Sequence, residues 1–166
     1  MDRVVGVLKA YTTRVGEGPF PTELADAAGE ELRRIGREFG ATTGRPRRCG
    51  WFDAVVARHA VMTCGVDEWA LTKLDVLDTF PTLKICTAYE LDGARIEHFP
   101  ANIRAAARCR PVYEELPGWQ TSTKDIARFG DLPGAAKRYI ARLEQVTGVP
   151  VGILSLGPRR ESTLVL

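Results

Sequence analysis

A short segment of the chain concentrates arginine, threonine and glycine between two stretches that have helical periodicity. It reads Gly-Ala-Thr-Thr-Gly-Arg-Pro-Arg-Arg-Cys-Gly-Trp over residues 40–51. The planar guanidinium group of arginine donates hydrogen bonds in pairs to carboxylate and phosphate oxygens, and glycine lets the backbone approach a ligand closely. We therefore expect the three arginines of this segment, Arg45, Arg47 and Arg48, to bind an anion, and residues 41–47 are called the arginine loop below.

A second segment has residue types that could recognise a purine base. Thr72-Lys73-Leu74-Asp75 lies where a predicted strand ends, and it resembles the Asn-Lys-x-Asp motif of GTPases. Guanine offers two adjacent donors that a single carboxylate, here that of Asp75, can accept together, whereas adenine lacks this pair. The aliphatic part of Lys73 can lie along the base. The alternative interpretation is a solvated surface loop, because short motifs often match by chance.

Two further segments are weaker candidates for ligand contacts. Ser155-Leu156-Gly157-Pro158 forms a predicted turn after the last strand, and its backbone could contact a base edge or could simply turn the chain. Thr12-Thr13-Arg14-Val15-Gly16 could hold a ribose or a phosphate, or its arginine could meet only a surface carboxylate. No nucleophile is paired with His59 or His98 in a recognisable pattern, so we expect neither to be catalytic.

Composition narrows the class of protein. The 166 residues suit one domain with a sizeable core. The 23 basic and 21 acidic residues leave a net charge of +2, which argues against nucleic-acid binding. The four cysteines form no CxxC pair that would suggest a zinc site. No apolar run is long enough to span a bilayer, so we expect a cytoplasmic protein with reduced cysteines.

Strands and helices alternate along the chain, which predicts an α/β sheet with flanking helices. No element is assigned to residues 93–130, where the sequence is poorly periodic, and the turn pair Asp92-Gly93 ends the preceding strand. Ligands gather at the carboxyl ends of strands in such sheets, where the segments after Leu71 and Leu154 are expected to lie. The predicted strands cover residues 4–11, 68–77 (breaking into a loop), 83–91 and 149–154.

Three helices are predicted from caps and periodicity. The first is capped by Asp26 and runs to about Phe39, the second starts at Asp53 and ends near Gly65, and the third ends at Gly148. For the third helix, Asp131 supplies the cap and Pro133 lies in the first turn. The residues assigned to core faces are Leu32, Ile35, Phe39, Val55, Val56, Ala60, Ala136, Ile140, Leu143 and Val146, and those assigned to a solvated face are Arg33, Arg34 and Arg37.

In their order along the chain, these segments resemble the C-terminal part of the adenylosuccinate synthetase family. The likeness covers nearly all of residues 1–166, and the arginine loop is its most specific element. It implies one region, the C-terminal portion of a mainly parallel, P-loop-NTPase-like sheet with flanking helices. The supporting segments are Val-Leu-Lys-Ala-Tyr at 7–11, Gly-Pro-Phe-Pro-Thr-Glu-Leu at 18–24, Lys-Leu-Asp-Val-Leu-Asp at 73–78 and Leu-Pro-Gly-Trp at 116–119.

The resemblance implies a homodimeric ligase that couples GTP hydrolysis, with Mg²⁺, to the joining of IMP and L-aspartate in AMP biosynthesis. It assigns Arg45 to both aspartate and IMP, and Arg47 also to the GTP phosphates. It places Val15 and Gly16 beside the IMP ribose. The segments assigned to aspartate are Ala41, Thr42, Thr43, Gly44, Arg45, Pro46 and Arg47, and those assigned to guanine are Lys73, Leu74, Asp75, Ser155, Leu156 and Gly157.

The sequence also departs from the family pattern. The family begins with a glycine-rich phosphate loop that carries a catalytic Asp, followed by a catalytic His, and this sequence contains no such loop. We therefore expect no catalytic residue and no metal ligand here, and no turnover by this chain alone. Leu156 and Arg159 stand where the family commonly has Thr and Asp. The alternatives are a non-catalytic guanine-nucleotide-binding module and a degenerate remnant.

Overall fold

The computed structural model describes residues 2–166, which contain ten strands, four α-helices and three short 3-10 turns. The strands are β1 (Val5–Lys9), β2 (Thr12–Arg14), β3 (Arg48–Gly50), β4 (Phe52–Asp53), β5 (Glu68–Thr72), β6 (Thr82–Leu91), β7 (Ala94–Ile96), β8 (Arg110–Pro117), β9 (Val151–Ser155) and β10 (Thr163–Val165). The helices are α1 (Ala27–Gly36), α2 (Ala54–Cys64), α3 (Ile103–Ala106) and α4 (Gly134–Thr147), and the 3-10 turns are Leu74–Leu77, Phe129–Asp131 and Arg160–Ser162.

The chain divides into two compact units. Unit 1 consists of the segment up to Ala10 together with Ala57–Leu83 and Glu115–Leu166. Unit 2 consists of Tyr11–Val56 and Lys84–Glu114. The candidate guanine segments therefore fall in unit 1, and the candidate aspartate and IMP segments fall in unit 2.

A four-stranded sheet in the order β1-β5-β9-β10 organises unit 1. The first three strands are parallel and β10 is antiparallel to β9. Register pairs Leu71 with Leu8 and with Leu154, and these leucines form a row on the covered face. On the other face, Val7 is 74% exposed and Val165 is 84% exposed. The expected α/β architecture with a mostly parallel sheet is confirmed.

Helix α4 packs on this sheet through its apolar face. Ala136, Ile140 and Leu143 are buried as predicted, and Gly148 ends the helix in a left-handed conformation. The indole N–H of Trp69 in β5 donates to Thr147 Oγ1 at 3.1 Å, which links the end of the helix to the sheet. The predicted Asp131 cap is wrong, because Asp131 lies in the preceding 3-10 turn and Pro133 occupies the cap position without a side-chain hydrogen bond.

Helix α1 begins as predicted and ends earlier. The side chain of Asp26 accepts a hydrogen bond from the amide of Gly29 at 3.1 Å. The helix stops at Gly36 because Arg37 adopts a left-handed conformation with φ 50°. The segment beyond it pairs with the arginine loop, and Phe39, predicted to be buried, is 46% exposed. This pairing partner lies later in the chain, so helical periodicity could not indicate it.

Unit 2 contains two small sheets. Strand β2 pairs antiparallel with β3, while β6 pairs with β4, β7 and β8. The turn Asp92-Gly93 joins β6 to β7, and both residues have positive φ, as the sequence predicted. Residues 93–130 were left without an assignment, yet they contain β7, α3 and β8. The sequence of β8 has no strong hydrophobic periodicity, and its position is set by its pairing with β6.

Asp53 and Tyr89 form a buried polar pair in the core of unit 2. One carboxylate oxygen of Asp53 accepts from the amides of Val55 and Val56, which confirms the predicted start of α2. The other oxygen accepts from the Tyr89 hydroxyl at 2.5 Å. Burial raises the pKa of Tyr89, and the Asp53 charge raises it further. Val56 was predicted to lie in the core and is instead 41% exposed.

Tyr89→Phe should destabilise the chain, because it removes a donor from a buried carboxylate. The expected cost is about 1–3 kcal/mol in the free energy of unfolding, measured by urea denaturation at pH 7. Tyr113→Phe is the matched control, since it removes another shielded phenol that makes no hydrogen bond to residues 2–166. Equal stability of the Tyr89→Phe and Tyr113→Phe variants would contradict this account of the core.

Candidate functional site

The two segments predicted to bind guanine are neighbours at one edge of the unit 1 sheet. Strands β5 and β9 run parallel with Leu71 opposite Leu154. Their carboxyl ends therefore lie side by side, and the chain leaves them through Lys73–Asp75 and Ser155–Gly157. Register alone produces this juxtaposition, at the carboxyl ends of parallel strands, where ligands gather in open α/β sheets.

Asp75 lies partly buried in the 3-10 turn that follows β5. Lys73 enters this turn in a left-handed conformation with φ 60°, while Leu74 and Val76 are buried beneath it. Burial raises the pKa of the Asp75 carboxyl, the nearby Asp78 charge raises it further, and Lys124 and Lys73 oppose the shift. A partly desolvated carboxylate can accept donors from a ligand with less competition from water than a fully exposed one.

Asp78 supports this turn and was assigned no role from the sequence. Its Oδ1 accepts from Trp119 Nε1 at 2.7 Å and from the Thr123 hydroxyl at 2.9 Å. Its Oδ2 accepts from the Thr123 amide at 2.8 Å. These contacts attach the segment after β8 to the turn carrying Asp75. The sequence feature that could have pointed to this role is the position of Asp78, three residues after Asp75 in the same segment.

The turn after β9 is held by its own hydrogen bonds. The Ser155 hydroxyl donates to the Gly157 carbonyl at 2.9 Å, and the Leu156 amide donates to the Ser162 carbonyl at 2.8 Å. The Leu156 side chain is fully buried. A ligand at this edge would therefore meet the backbone of Leu156, and the difference from the threonine common in the family falls on a core side chain.

In unit 2 the arginine loop closes on itself. The Gly40 amide donates to the Arg45 carbonyl at 2.8 Å, and the Gly44 amide donates to the Gly40 carbonyl at 2.9 Å. Gly44 has φ 64°, a conformation that glycine adopts without strain. Residues 41–46 are exposed. Thr42 and Arg45 are thus exposed on this turn, while the Thr43 hydroxyl accepts from the Arg45 amide at 3.4 Å.

Arg47 differs from Arg45 in being anchored. Its Nη1 donates to Glu38 Oε2 at 2.9 Å, and the Tyr11 hydroxyl donates to Glu38 Oε1 at 2.6 Å. The Glu38 side chain is completely buried, while 30% of the Arg47 side chain remains exposed. Glu38 and Tyr11 carry no local sequence signal for this role, because only the fold brings them to Arg47.

Arg48 serves the structure of the loop beside it. Its guanidinium makes a paired contact with the Glu23 carboxylate, with Nε at 2.7 Å and Nη2 at 2.5 Å. Nη1 also donates to the Gly18 carbonyl at 2.8 Å. The hydrogen bond from Arg48 lowers the pKa of Glu23. The sequence grouped three arginines as receivers of an anion, but this one already has an internal carboxylate.

The segment predicted to contact the IMP ribose lies next to the end of the arginine loop. Strand β2 pairs with β3 so that Arg14 stands opposite Arg48. Val15 and Gly16 follow β2 directly and are exposed. Two segments separated by about thirty residues of sequence are therefore adjacent within unit 2.

Metal-binding clusters, disulfides and membrane-spanning helices are absent from the part of the chain that the structure describes. No group of three or more His, Cys, Asp or Glu side chains in residues 2–166 could hold a metal ion. The four cysteines form no disulfide within residues 2–166, and Cys64 is exposed while the other three are buried. No helix within the described range has the length and apolar character needed to cross a membrane.

The unit 1 sheet thus brings two candidate binding segments to the carboxyl ends of neighbouring parallel strands. The model of the family described as adenylosuccinate synthetase matches residues 1–164, and the chain belongs to this family. It is 58% identical to adenylosuccinate synthetase of Thermosynechococcus vestitus and 55% identical to that of Geobacter sulfurreducens, each over 166 residues. The matches cover all of this chain and 37% and 38% of those relatives.

A solved structure gives the same relationship. The fully ligated adenylosuccinate synthetase from Plasmodium falciparum superposes with a TM-score of 0.96 at 37% sequence identity. That match covers 100% of this chain and 40% of the solved chain. The chain thus spans about two fifths of the length of the relatives it matches.

Asp75→Asn should raise the thermal stability at pH 7. Because the folded state raises the pKa of this carboxyl, the ionised form opposes folding, and a neutral amide removes that penalty. The wild-type carboxyl gains a proton as pH falls through its raised pKa, so the difference in Tm should shrink with acidification.

Asp78→Asn is the matched control and should lower stability by about 1–3 kcal/mol. Both oxygens of Asp78 accept hydrogen bonds, and the NH2 group that replaces one of them in asparagine cannot accept. Thermal unfolding followed by circular dichroism from pH 4 to pH 8 measures both variants. A lower Tm for Asp75→Asn would show that the carboxylate stabilises the fold and would contradict a ligand-directed role.

Proposed function

We propose that this chain supplies the guanine, aspartate and IMP contacts of an adenylosuccinate synthetase. The observation that carries the proposal is the parallel pairing of β5 with β9, which brings Lys73–Asp75 beside Ser155–Gly157. Family membership and 58% identity to a relative of that name support it. The same relationship supports assigning the unit 1 sheet to a P-loop-NTPase-like fold, and proposing a homodimer that acts in the cytoplasm.

At the guanine site, Asp75 accepts the ring N–H and the amino group of the base together. Lys73 lies with its aliphatic part along the base, and the turn at Ser155–Gly157 contacts the base edge. Adenine presents an acceptor where guanine has its ring N–H, so the same carboxylate repels it. A base that leaves a buried polar group of the site unpaired binds much more weakly than the base that pairs with it.

At the substrate site, Thr42, Thr43 and Arg45 hold the carboxylates of L-aspartate. The paired donors of arginine fit these groups. Arg45 also contacts IMP, Arg47 neutralises phosphate charge, and Val15 and Gly16 lie along the ribose. These roles suit residues on a closed, exposed turn beside a fixed guanidinium.

The proposed reaction has two steps. The terminal phosphoryl group of GTP moves to the 6-oxygen of IMP, and GDP leaves. The amino group of aspartate then attacks carbon 6, expelling inorganic phosphate and a proton to give adenylosuccinate. In this chain, the arginines orient the reacting anions and lower their mutual repulsion. Mg²⁺ would offset phosphate charge, but residues 2–166 present no suitable donor cluster, and we assign no ligand for it.

Nucleotide titration tests the base-specific part of this proposal. GDP should bind at least about 10-fold more tightly than ADP, which corresponds to about 1.4 kcal/mol. Affinity should fall with acidification at a higher pH than an ordinary aspartate would give, because burial raises the pKa of Asp75. Isothermal titration calorimetry from pH 5 to pH 8 measures both effects.

Asp75→Ala should abolish the preference for GDP. Asp125→Ala, which removes an exposed carboxylate with no assigned role, should leave it unchanged. Equal affinity for GDP and ADP in the wild-type chain would exclude a guanine pocket.

A turnover assay separates the enzyme from a non-catalytic guanine-nucleotide module. We expect no adenylosuccinate from the purified chain with IMP, L-aspartate, GTP and Mg²⁺, because this sequence supplies no recognisable phosphate loop. Selective GDP binding without turnover fits both the partial enzyme and the module. Binding of L-aspartate that is lost in Arg45→Ala favours the partial enzyme, because a module that binds only nucleotide has no use for that amino acid.

Product formation that disappears in Arg45→Ala would show a complete active site in this chain and overturn the expected inactivity. Product formation unaffected by Arg45→Ala would identify a contaminating enzyme.

A further inference from the structure

Glu38 is a fully buried carboxylate that the substrate contacts above do not use. A buried charge is costly unless it is paired and hydrogen-bonded. Glu38 is paired, since its two oxygens accept from Arg47 Nη1 at 2.9 Å and from the Tyr11 hydroxyl at 2.6 Å. The carboxylate is thus shared between a partly exposed guanidinium and a buried phenol.

The fold makes room for this arrangement at Gly36. A Cβ atom at that position would lie 2.2 Å from the Tyr11 hydroxyl oxygen and 3.3 Å from Glu38 Cγ. The phenol reaches the carboxylate only because residue 36 has no side chain. The left-handed Arg37 then turns the chain so that Glu38 faces inward instead of continuing helix α1.

The backbone joins the same residues again. The Arg47 amide donates to the Glu38 carbonyl at 2.8 Å, and Arg33 Nε donates to the Arg47 carbonyl at 3.0 Å. Arg47 is therefore held at its amide, its carbonyl and its guanidinium. Arg45, two residues earlier, projects from an exposed turn. Fixing a guanidinium in advance lowers the conformational entropy lost when it binds an anion.

We propose that Glu38 is a positioning residue that, together with Tyr11, orients the guanidinium of Arg47 toward a phosphate-bearing ligand. The proposal rests on the proposed function, in which Arg47 meets phosphate. Glu38 itself does not touch the ligand. Its carboxylate holds Nη1 at 2.9 Å, while 30% of the Arg47 side chain remains exposed and available to a ligand.

The orientation can be measured without any ligand. In the ¹⁵N spectrum of the whole chain, a guanidinium held against rotation gives separate signals for its two terminal nitrogens. We expect separate Arg47 signals in the wild type, identified by their loss in Arg47→Lys. They should merge in Glu38→Gln, which keeps the shape but removes the charge, and should stay separate in Glu31→Gln, which alters the exposed Glu31–Arg34 pair.

Tyr11→Phe provides a second variant in case Glu38→Gln fails to fold. It removes one donor to the carboxylate and leaves the ion pair with Arg47 in place. We expect faster rotation of the Arg47 guanidinium in this variant than in the wild type. Separate, slowly exchanging Arg47 signals in folded Glu38→Gln would overturn the proposal. If that variant is unfolded, Arg47 rotation in Tyr11→Phe that is as slow as in the wild type would overturn it.

Binding of inorganic triphosphate tests whether the orientation matters for a ligand. Wild type and Glu31→Gln should bind it equally, and Glu38→Gln and Arg47→Ala should each bind about 10-fold more weakly. Unchanged affinity in folded Glu38→Gln would mean that Glu38 serves stability alone, which would overturn the proposal. If the wild type does not bind inorganic triphosphate, the phosphate role of Arg47 in the proposed function is rejected. The role of Glu38 is then rejected too, even if the ¹⁵N spectra show a guanidinium held against rotation.

Discussion

The parallel pairing of β5 with β9 is the constraint on which the guanine-site argument depends. With Leu71 opposite Leu154, both strands bury their leucines on one face and end at one edge. A shift of one residue would turn those leucines to the exposed face, so the hydrophobic pattern enforces the register. The same register places Asp75 and the turn at Ser155–Gly157 beside each other. Core packing and the placement of the site are thus consequences of one alignment.

Buried carboxylates provide the next level of order, and each fixes a different feature. Asp53 caps α2 and accepts from Tyr89 in unit 2. Asp78 attaches the segment around Trp119 to the turn that carries Asp75. Glu38 holds Arg47. In all three cases at least one of the donors that offset the desolvation cost lies far along the sequence, namely Tyr89, Trp119 or Tyr11. Each carboxylate therefore contributes specific geometry more than net stability.

The fold gives the three arginines of this segment different surroundings. Arg45 and Arg47 are assigned to ligands, and Arg48 is not. Arg48 is engaged by Glu23 and by the loop carbonyl of Gly18. Arg45 projects from an exposed turn, and Arg47 is fixed while still partly accessible. A mobile donor can follow a small substrate, whereas a fixed one favours a rigid, highly charged group. This division is what the proposed roles of Arg45 and Arg47 require, and it gives physical content to a loop recognised at first by its composition.

The sequence by itself determined the local features of this protein. Asp26 and Asp53 cap helices, Asp92-Gly93 makes a hairpin turn, and Gly148 ends α4, because each depends on the conformational preference of a few adjacent residues. The motif order was sufficient to identify the family. Tertiary structure decided where α1 ends, which residues surround Arg47, and how β8 is placed. These features depend on partners such as Tyr11, Glu38 and β6, which lie far along the chain and whose contacts arise only when the whole unit packs.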